Sequence, residues 1–262
     1  MLAMARKPSW SRKIVILSLA LNVFLIFVFG YVVFREGGSS YLINFFKSSL
    51  IQNKGTDLSA KNSKAMPPPG PFYDHRKSIF ESLPDDENEI IFLGDSFVDF
   101  AEWSELFNNA KIKNRGIAGD RTDGVLQRLE EVLSSSPAKI FMMIGYNDLS
   151  KGRKIPEIVK NIKEILDSIK TNSPKTEIYI QSVLPLDKSI YKGNVDNRDI
   201  INLNDQLARL CELNGVVYID LFSAFCDANN QLMKEFASSD GLHLNGKAYL
   251  KWKSILEKYI YP

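Results

Sequence analysis

Cysteine is nearly absent from this 262-residue chain, which has only Cys211 and Cys226. Two cysteines cannot build a disulfide framework, and their separation matches no metal-ligand spacing. They read as two small buried apolar residues, or as one bridge if the domain lies outside the cytoplasm. Histidine is just as scarce, with His75 and His243 alone, so chemistry that needs an imidazole has few places to be. An excess of one charge is missing too. Lys+Arg number 33 against 31 Asp+Glu, and the net charge of +2 provides no basic surface for nucleic acid. No G-x-G-x-x-G or Walker loop follows the first apolar strand, so a nucleotide's phosphates would find no glycine cradle. There is no internal repeat. Hydrophobic residues at 45% and charged residues at 24% exclude disorder of the whole chain. The length allows one α/β domain with additions.

The N-terminus carries the first positive signal. Arg6, Lys7, Arg12 and Lys13 precede a charge-free run from Ile14 to Phe34. As a helix this run would span roughly 31 Å, close to the ~30 Å hydrocarbon core of a bilayer. A cleaved signal peptide is the rival, but its apolar region is about 7–15 residues long and ends at a small-residue site. This run is longer and no A-x-A pattern follows. The expectation is therefore a cytoplasmic N-terminus over 1–13, a transmembrane anchor over 14–34, and everything beyond on the outer side of that membrane. Residues 35–71 read as a juxtamembrane spacer. Tyr41, Leu42, Phe45, Phe46 and Leu50 could lie on the membrane surface, and Pro67, Pro68, Pro69 and Pro71 stiffen the approach to a domain over 72–262.

In that domain the pattern becomes compact α/β. Ile90–Leu93, Ile140–Ile144 and Val216–Ile219 are continuous apolar runs and Ile178–Leu184 nearly so, as suits parallel strands buried on both faces. Lys111–Arg115 reads as a shorter fifth strand. Between them, Ile155, Ile158, Val159, Ile162, Ile165, Leu166 and Ile169 form a stripe at helical spacing. Gly124–Leu133, Asn202–Leu213 and Gly246–Tyr259 also read as helices. Alternating strands and helices predict a three-layer α/β/α sandwich around a parallel sheet, with ligands beyond the carboxyl ends of the strands.

Three such ends carry candidate chemistry. Gly94-Asp95-Ser96 follows the first strand and would expose a serine hydroxyl on a tight strand-to-helix turn. Alone it is weak, since three residues at about one in twenty each recur by chance in a few per cent of such chains. Serine needs a base, and His243 lies three residues after Asp240, which could fix the imidazole tautomer and stabilise its cation. For the oxyanion of acyl transfer, Asn147 in Gly145-Tyr146-Asn147-Asp148 could project its amide from the strand Ile140–Ile144. Gly119 in Gly116-Ile117-Ala118-Gly119 could bring a backbone N–H close. Each has an ordinary alternative: a helix N-cap for Asp95 or Ser96, a turn glycine, a turn-capping amide, a loop histidine. Their convergence at one sheet edge argues for the functional reading. His75 reads as a surface residue. Arg121 and Tyr146 stand beside the motifs with no assigned role, and Leu186–Arg198 could be a loop over the site.

In order and approximate spacing, these motifs resemble the blocks of the SGNH (GDSL-type) hydrolase superfamily. Gly94-Asp95-Ser96, Gly119, Gly145-x-Asn147-Asp148 and Asp240-x-x-His243 are similar to its four blocks. Ile91–Ser96 and Asn114–Asp120 are similar to a subgroup that includes platelet-activating-factor acetylhydrolases and carbohydrate deacetylases. Phe97 stands where the older family label has Leu. The resemblance covers roughly 72–261. It implies a flavodoxin-like sheet, a catalytic Ser96-His243-Asp240 set and an oxyanion hole from the Ser96 and Gly119 N–H groups plus the Asn147 amide. It implies no metal or organic cofactor. The expected activity is hydrolysis of a small acyl ester, O-acetyl on a sugar or glycan. The alternatives are a lysophospholipase or thioesterase, an acyltransferase, and a non-catalytic membrane-tethered binding module.

Overall fold

The computed structural model describes residues 70–261 and, before them, Tyr31 alone. The expected cytoplasmic segment 1–13, the anchor 14–34 apart from Tyr31, and the spacer 35–71 up to its last two residues lie outside the described residues. Among the described residues no helix is long and apolar enough to cross a membrane. The chain divides into two units, Met1–Ala65 and Met66–Pro262, and the elements below all belong to the second.

Five parallel strands form the sheet: β1 (Ile90–Gly94), β2 (Ile112–Gly116), β3 (Lys139–Met143), β4 (Glu177–Gln181) and β5 (Val217–Ile219), in the order β2-β1-β3-β4-β5. The expected α/β class and strand number hold, and this is the doubly wound order of flavodoxin-like sheets. Its direction reverses between β1 and β3, so the crevice beyond those two carboxyl ends is where such a sheet binds ligands. Successive residues of a strand face opposite sides, and the register uses this. Phe92 pairs with Phe141 and Phe141 with Tyr179, so three aromatic rings stack across β1, β3 and β4 with centroids 5.2 and 4.5 Å apart. Trp103 of α3 (Trp103–Leu106) stacks on Phe92 at 4.3 Å and meets Trp252 of the C-terminal helix edge-on. The alternate residues Ile140, Met142 and Ile180 face the other way and are equally buried. They require cover on that side, and the long helix α7 (Ile155–Asn172) buries its stripe of Ile158, Ile162, Ile165, Leu166 and Ile169.

Several boundaries differ from expectation for identifiable reasons. A helix, α1 (Pro71–Ser82), replaces the plain entry to the domain and buries Tyr73 and Phe80, leaving His75 exposed as expected. The single helix expected over 124–133 is two, α4 (Thr122–Gln127) and α5 (Leu129–Leu133), broken at Arg128. The Arg128 side chain is drawn inward to Asp120 and to the carbonyls of Gly94 and Arg115. Strand β4 stops at Gln181, short of Leu184, because the side chain of Asn204 takes over both backbone groups of Val183. Asn204 lies on α8 (Asn197–Asn214), which starts earlier than expected because Asp196 caps it. After the one-turn α9 (Phe222–Phe225), Asn245 caps the last helix, α10 (Gly246–Ile260). Cys211 is buried, Cys226 partly so, and both are free thiols.

Candidate active site

Strand β1 delivers the serine. After Gly94 the fully buried Asp95 turns the chain into the one-turn helix α2 (Ser96–Asp99), and its Oδ1 accepts the Phe97 N–H at 3.1 Å. Such a cap satisfies one of the backbone donors that a helix start leaves open. Ser96 is the first residue of that turn and 7% exposed. Its Oγ lies 2.9 Å from Nε2 of His243, and Nδ1 of the same ring lies 2.6 Å from Oδ2 of Asp240. A carboxylate only accepts, so Nδ1 carries the ring hydrogen, Nε2 presents its lone pair, and the serine hydroxyl donates to it. This is the alignment that removes a proton from a serine nucleophile.

The Asp240–His243 turn is built locally. Oδ1 of Asp240 accepts the N–H groups of Leu242 and His243, each at 2.9 Å, and the Ser238 N–H donates to the His243 carbonyl at 2.7 Å. Burial raises the Asp240 carboxyl, but the hydrogen bonds from His243 and the two backbone groups outweigh it and hold the group below its ordinary range. Phe97 and Phe100 pack on the imidazole, with ring centroids 5.8 and 5.0 Å away. Phe100 is 53% exposed, so an aromatic face opens to solvent beside the base.

The ends of β2 and β3 complete the edge. Gly119 has φ +81, and a Cβ built there would meet nothing within 4 Å, so the position faces open space. The backbone N–H groups of Ser96 and Gly119 find no acceptor among the described residues. Asn147 sits in α6 (Tyr146–Ser150), directly after β3, and both N–H bonds of its amide are engaged. One goes to the Asp120 carbonyl at 3.0 Å and the other, longer, to Asp95 Oδ2 at 3.2 Å. The structure thus brings Ser96, His243 and Asp240 into one hydrogen-bonded line. It puts Gly119 and Asn147 at the adjoining strand ends, with the Asn147 amide already occupied.

Behind these loops lies a buried layer of carboxylates that the motifs alone did not foretell. Burial pushes Asp95 up to about 8, against the pull of the Phe97 N–H and with further upward pressure from Asp120 and Asp148. Burial likewise pushes Asp120 up to about 6 against the pull of Arg128, whose Nε lies 3.0 Å from Oδ2. Asp148 is raised by burial against its bonds to Thr122 and Arg153. Asp148 sits in a recognisable motif, but Arg128 carries no sequence signal beyond being a charge inside a helical pattern. Of the unassigned residues, Arg121 ion-pairs with Asp123 at 3.1 Å, and the Tyr146 hydroxyl donates to that of Tyr191 at 2.8 Å. Tyr191 belongs to the expected loop 186–198, which reaches the acid–base turn through a 2.9 Å bond from the Asp187 N–H to the Gly241 carbonyl.

Known proteins are similar to this chain in sequence and fold. The model of the GDSL-like Lipase/Acylhydrolase family matches residues 92–251. The platelet-activating factor acetylhydrolase IB subunit alpha2 of Gallus gallus is 30% identical over 174 residues, covering 64% of this chain and 73% of that one. The Homo sapiens protein of the same name is 29% identical over 184 residues, covering 68% and 77%. A solved structure from Streptococcus pneumonia, named for platelet activating factor, is 27% identical with a TM-score of 0.68, covering 86% of this chain and all of that one. An acetylxylan esterase from Geobacillus stearothermophilus shares the fold at 15% identity and a TM-score of 0.56, covering 68% and 96%. The chain belongs to the GDSL-like lipase/acylhydrolase family of the SGNH superfamily and is an ester hydrolase of that kind.

Proposed function

We propose that this protein is a serine esterase that removes short acyl groups, O-acetyl on carbohydrate foremost, and that residues 14–34 tether its catalytic domain to the outer side of a membrane. The observation that carries the catalytic part is the line from Ser96 Oγ through His243 to Asp240, at 2.9 and 2.6 Å. Ser96 Oγ attacks the ester carbonyl as its proton passes to His243 Nε2, and Asp240 stabilises the imidazolium. The oxyanion rests on the Ser96 and Gly119 N–H groups and draws one Asn147 N–H away from its longer bond to Asp95. Collapse of this intermediate breaks the ester C–O bond, and the imidazolium protonates the departing alcohol. His243 then deprotonates water, which attacks the acyl–Ser96 ester and releases the acid.

The acetyl preference is supported by the names of the relatives near 30% identity, which are acetylhydrolases. For the alcohol part, the exposed Phe100 face beside His243 suits the apolar face of a sugar ring. The same relatives are named for platelet-activating factor, which makes a lipid-like ester the second reading. Support for the tether comes from the sequence: a charge-free run of bilayer length preceded by four basic residues.

The deciding experiment is hydrolysis of p-nitrophenyl acetate, butyrate and octanoate by the full chain, with Ser96→Ala as control. Activity should vanish in the control and fall steeply with chain length. Rates that rise with chain length move the lipid reading ahead, and retained activity in Ser96→Ala overturns the mechanism. In the same preparation the protein should stay with the membranes through an alkaline carbonate wash. Release by that wash removes the tether from the reading.

A further inference from the structure

We propose that the segment Asp187–Tyr191 is a strap that sets the acid–base turn against Ser96, and that Gly241 and Tyr191 are positioning residues for ester hydrolysis; this rests on the catalytic reading above. The need for such a device is geometric. Ser96, Gly119 and Asn147 stand at strand ends and inherit the rigidity of the sheet. Asp240 and His243 do not, because they lie in a turn outside the sheet, and the Asp240 side chain is 48% exposed. Phe97 and Phe100 pack on the imidazole, but burial does not hold the half-exposed carboxylate at 2.6 Å from it.

The strap supplies the hold through backbone. Its Asp187 N–H donates to the Gly241 carbonyl at 2.9 Å, and its own turn is closed by the Tyr191 N–H donating to the Asp187 carbonyl at 2.8 Å. Those last two atoms press on Gly241. A Cβ there would stand 2.7 Å from the Asp187 oxygen, 2.7 Å from the Tyr191 nitrogen and 3.0 Å from Ile190 Cβ, at a φ of +71. Only glycine lets the two backbones meet so closely at that φ. Any larger residue must push the strap and the catalytic turn apart, because backbone atoms in a closed turn have no rotamer by which to yield.

The strap is itself braced. Oδ1 of the buried Asp187 accepts the N–H and the hydroxyl of Ser189, the Lys188 N–H donates to Gln231, and the Lys188 ammonium donates to the Val195 carbonyl. Its far end reaches the other half of the site. The hydroxyl of Tyr191 meets that of Tyr146, the neighbour of Asn147, and the Tyr146 ring packs edge-on at 6.0 Å on Phe97, the neighbour of Ser96. One short segment therefore touches the acid–base turn at Gly241 and the β1 and β3 ends at Tyr146. The distance between base and nucleophile is set across it.

The test compares Gly241→Ala and Tyr191→Phe with the wild type and Ser96→Ala, in the full chain, by kcat, KM and thermal melting. Gly241→Ala should lose about 10²-fold in kcat, as an ångström-scale misplacement does, with KM within about twofold. Tyr191→Phe should lose about fivefold in kcat, the worth of one hydrogen bond. A residue with a merely structural role would lower the melting temperature and leave kcat per folded molecule alone. If Gly241→Ala folds and behaves that way, the proposal is wrong. If it does not fold, an unchanged kcat in Tyr191→Phe is enough to overturn it. Ser96→Ala separates the two levels: activity surviving there sinks the catalytic reading itself, whereas an inactive Ser96→Ala beside fully active strap variants sinks only the strap.

Discussion

The two oxygens of Asp240 have different partners, and the substitution Asp240→Asn turns that difference into a measurable effect. Oδ1 accepts two backbone N–H groups at 2.9 Å each, while Oδ2 faces His243 Nδ1 at 2.6 Å. An asparagine at this position must keep its carbonyl oxygen where Oδ1 is. The flipped amide would aim its own N–H groups at two backbone donors, forfeiting two hydrogen bonds at about 1–3 kcal/mol each. In the unflipped form the amide nitrogen donates to Nδ1. That fixes the imidazole hydrogen on Nε2, where it points at Ser96 and cannot accept the serine proton. Alanine, by contrast, leaves the ring free to choose either tautomer and removes only the orienting carboxylate. Releasing the imidazole from the amide costs about one hydrogen bond, near 1.4 kcal/mol, so Asp240→Asn should turn over about tenfold more slowly than Asp240→Ala. The alanine variant itself should lose about 10²–10³-fold in kcat. The tenfold penalty of the pinned amide then puts Asp240→Asn at about 10³–10⁴, in the range of the ~10⁴ that a wrong-tautomer asparagine costs. Steady-state kcat on p-nitrophenyl acetate, with Ser96→Ala as the background, measures both ratios. If Asp240→Asn is as fast as Asp240→Ala or faster, the amide is not pinned and the reasoning fails.

The buried carboxylates give two further expectations. Asp95 is raised from an ordinary 3.8 to about 8, so the folded state holds its proton more tightly than the unfolded state does. The stability this confers is complete below about pH 4 and is lost as the pH rises through 8, with Asp120, raised to about 6, acting in the same direction over the lower part of that window. Urea unfolding should therefore show stability falling from pH 5 to 8.5, on the order of a few kcal/mol, and Asp95→Asn should flatten the slope; an equal slope in the variant would rule out Asp95 as its source. Arg128→Met keeps the apolar stem but leaves Asp120 buried without its partner. It should cost about 3–5 kcal/mol and lower Tm on the order of 10 °C, and a Tm within a degree or two of wild type would contradict the buried ion pair.

What the sequence made legible was whatever sits at a fixed offset from an apolar run. Ser96 follows Ile90–Gly94 directly and Asn147 follows Lys139–Met143 by a few residues, so locating the strands located the loops. The acid–base pair was legible because Asp240 and His243 lie three apart and histidine is scarce. The unread features depend on contacts between distant segments. Arg128 breaks a helical pattern because Asp120 and two strand carbonyls draw it inward, and a polar residue in an amphipathic pattern carries no mark of which way it turns. The Asn204 side chain ends β4 from 21 residues away. Gly241 reads as an ordinary turn glycine until the backbone of Asp187–Tyr191 is seen against it. The place of Asn147 alone predicts an oxyanion donor and carries no mark of its bonds to Asp95 and Asp120.

These long-range contacts divide the site into two parts held by different means. Arg128 donates to the Gly94 carbonyl at the end of β1, to the Arg115 carbonyl in β2 and to Asp120, and the Asp120 carbonyl accepts from Asn147 beyond β3. Asp95 closes the circuit by accepting from Asn147 in turn. One buried chain of hydrogen bonds thus ties together the three strand ends that carry the nucleophile and the oxyanion candidates. This holds the loops that carry the Ser96 and Gly119 N–H groups in place before the reaction, as preorganised stabilisation requires, and leaves the Asn147 N–H on Asp95 as the one donor that must turn. The base and its carboxylate have no share in that circuit. They reach Ser96 from a surface turn, fixed by two N–H bonds to Asp240, by the Ser238 N–H on the His243 carbonyl and by the strap on Gly241. Disturbing the buried circuit should therefore destabilise the fold as a whole. Disturbing the strap should change turnover first, because the 2.9 Å between Ser96 Oγ and His243 Nε2 is the one catalytic distance that spans the two parts.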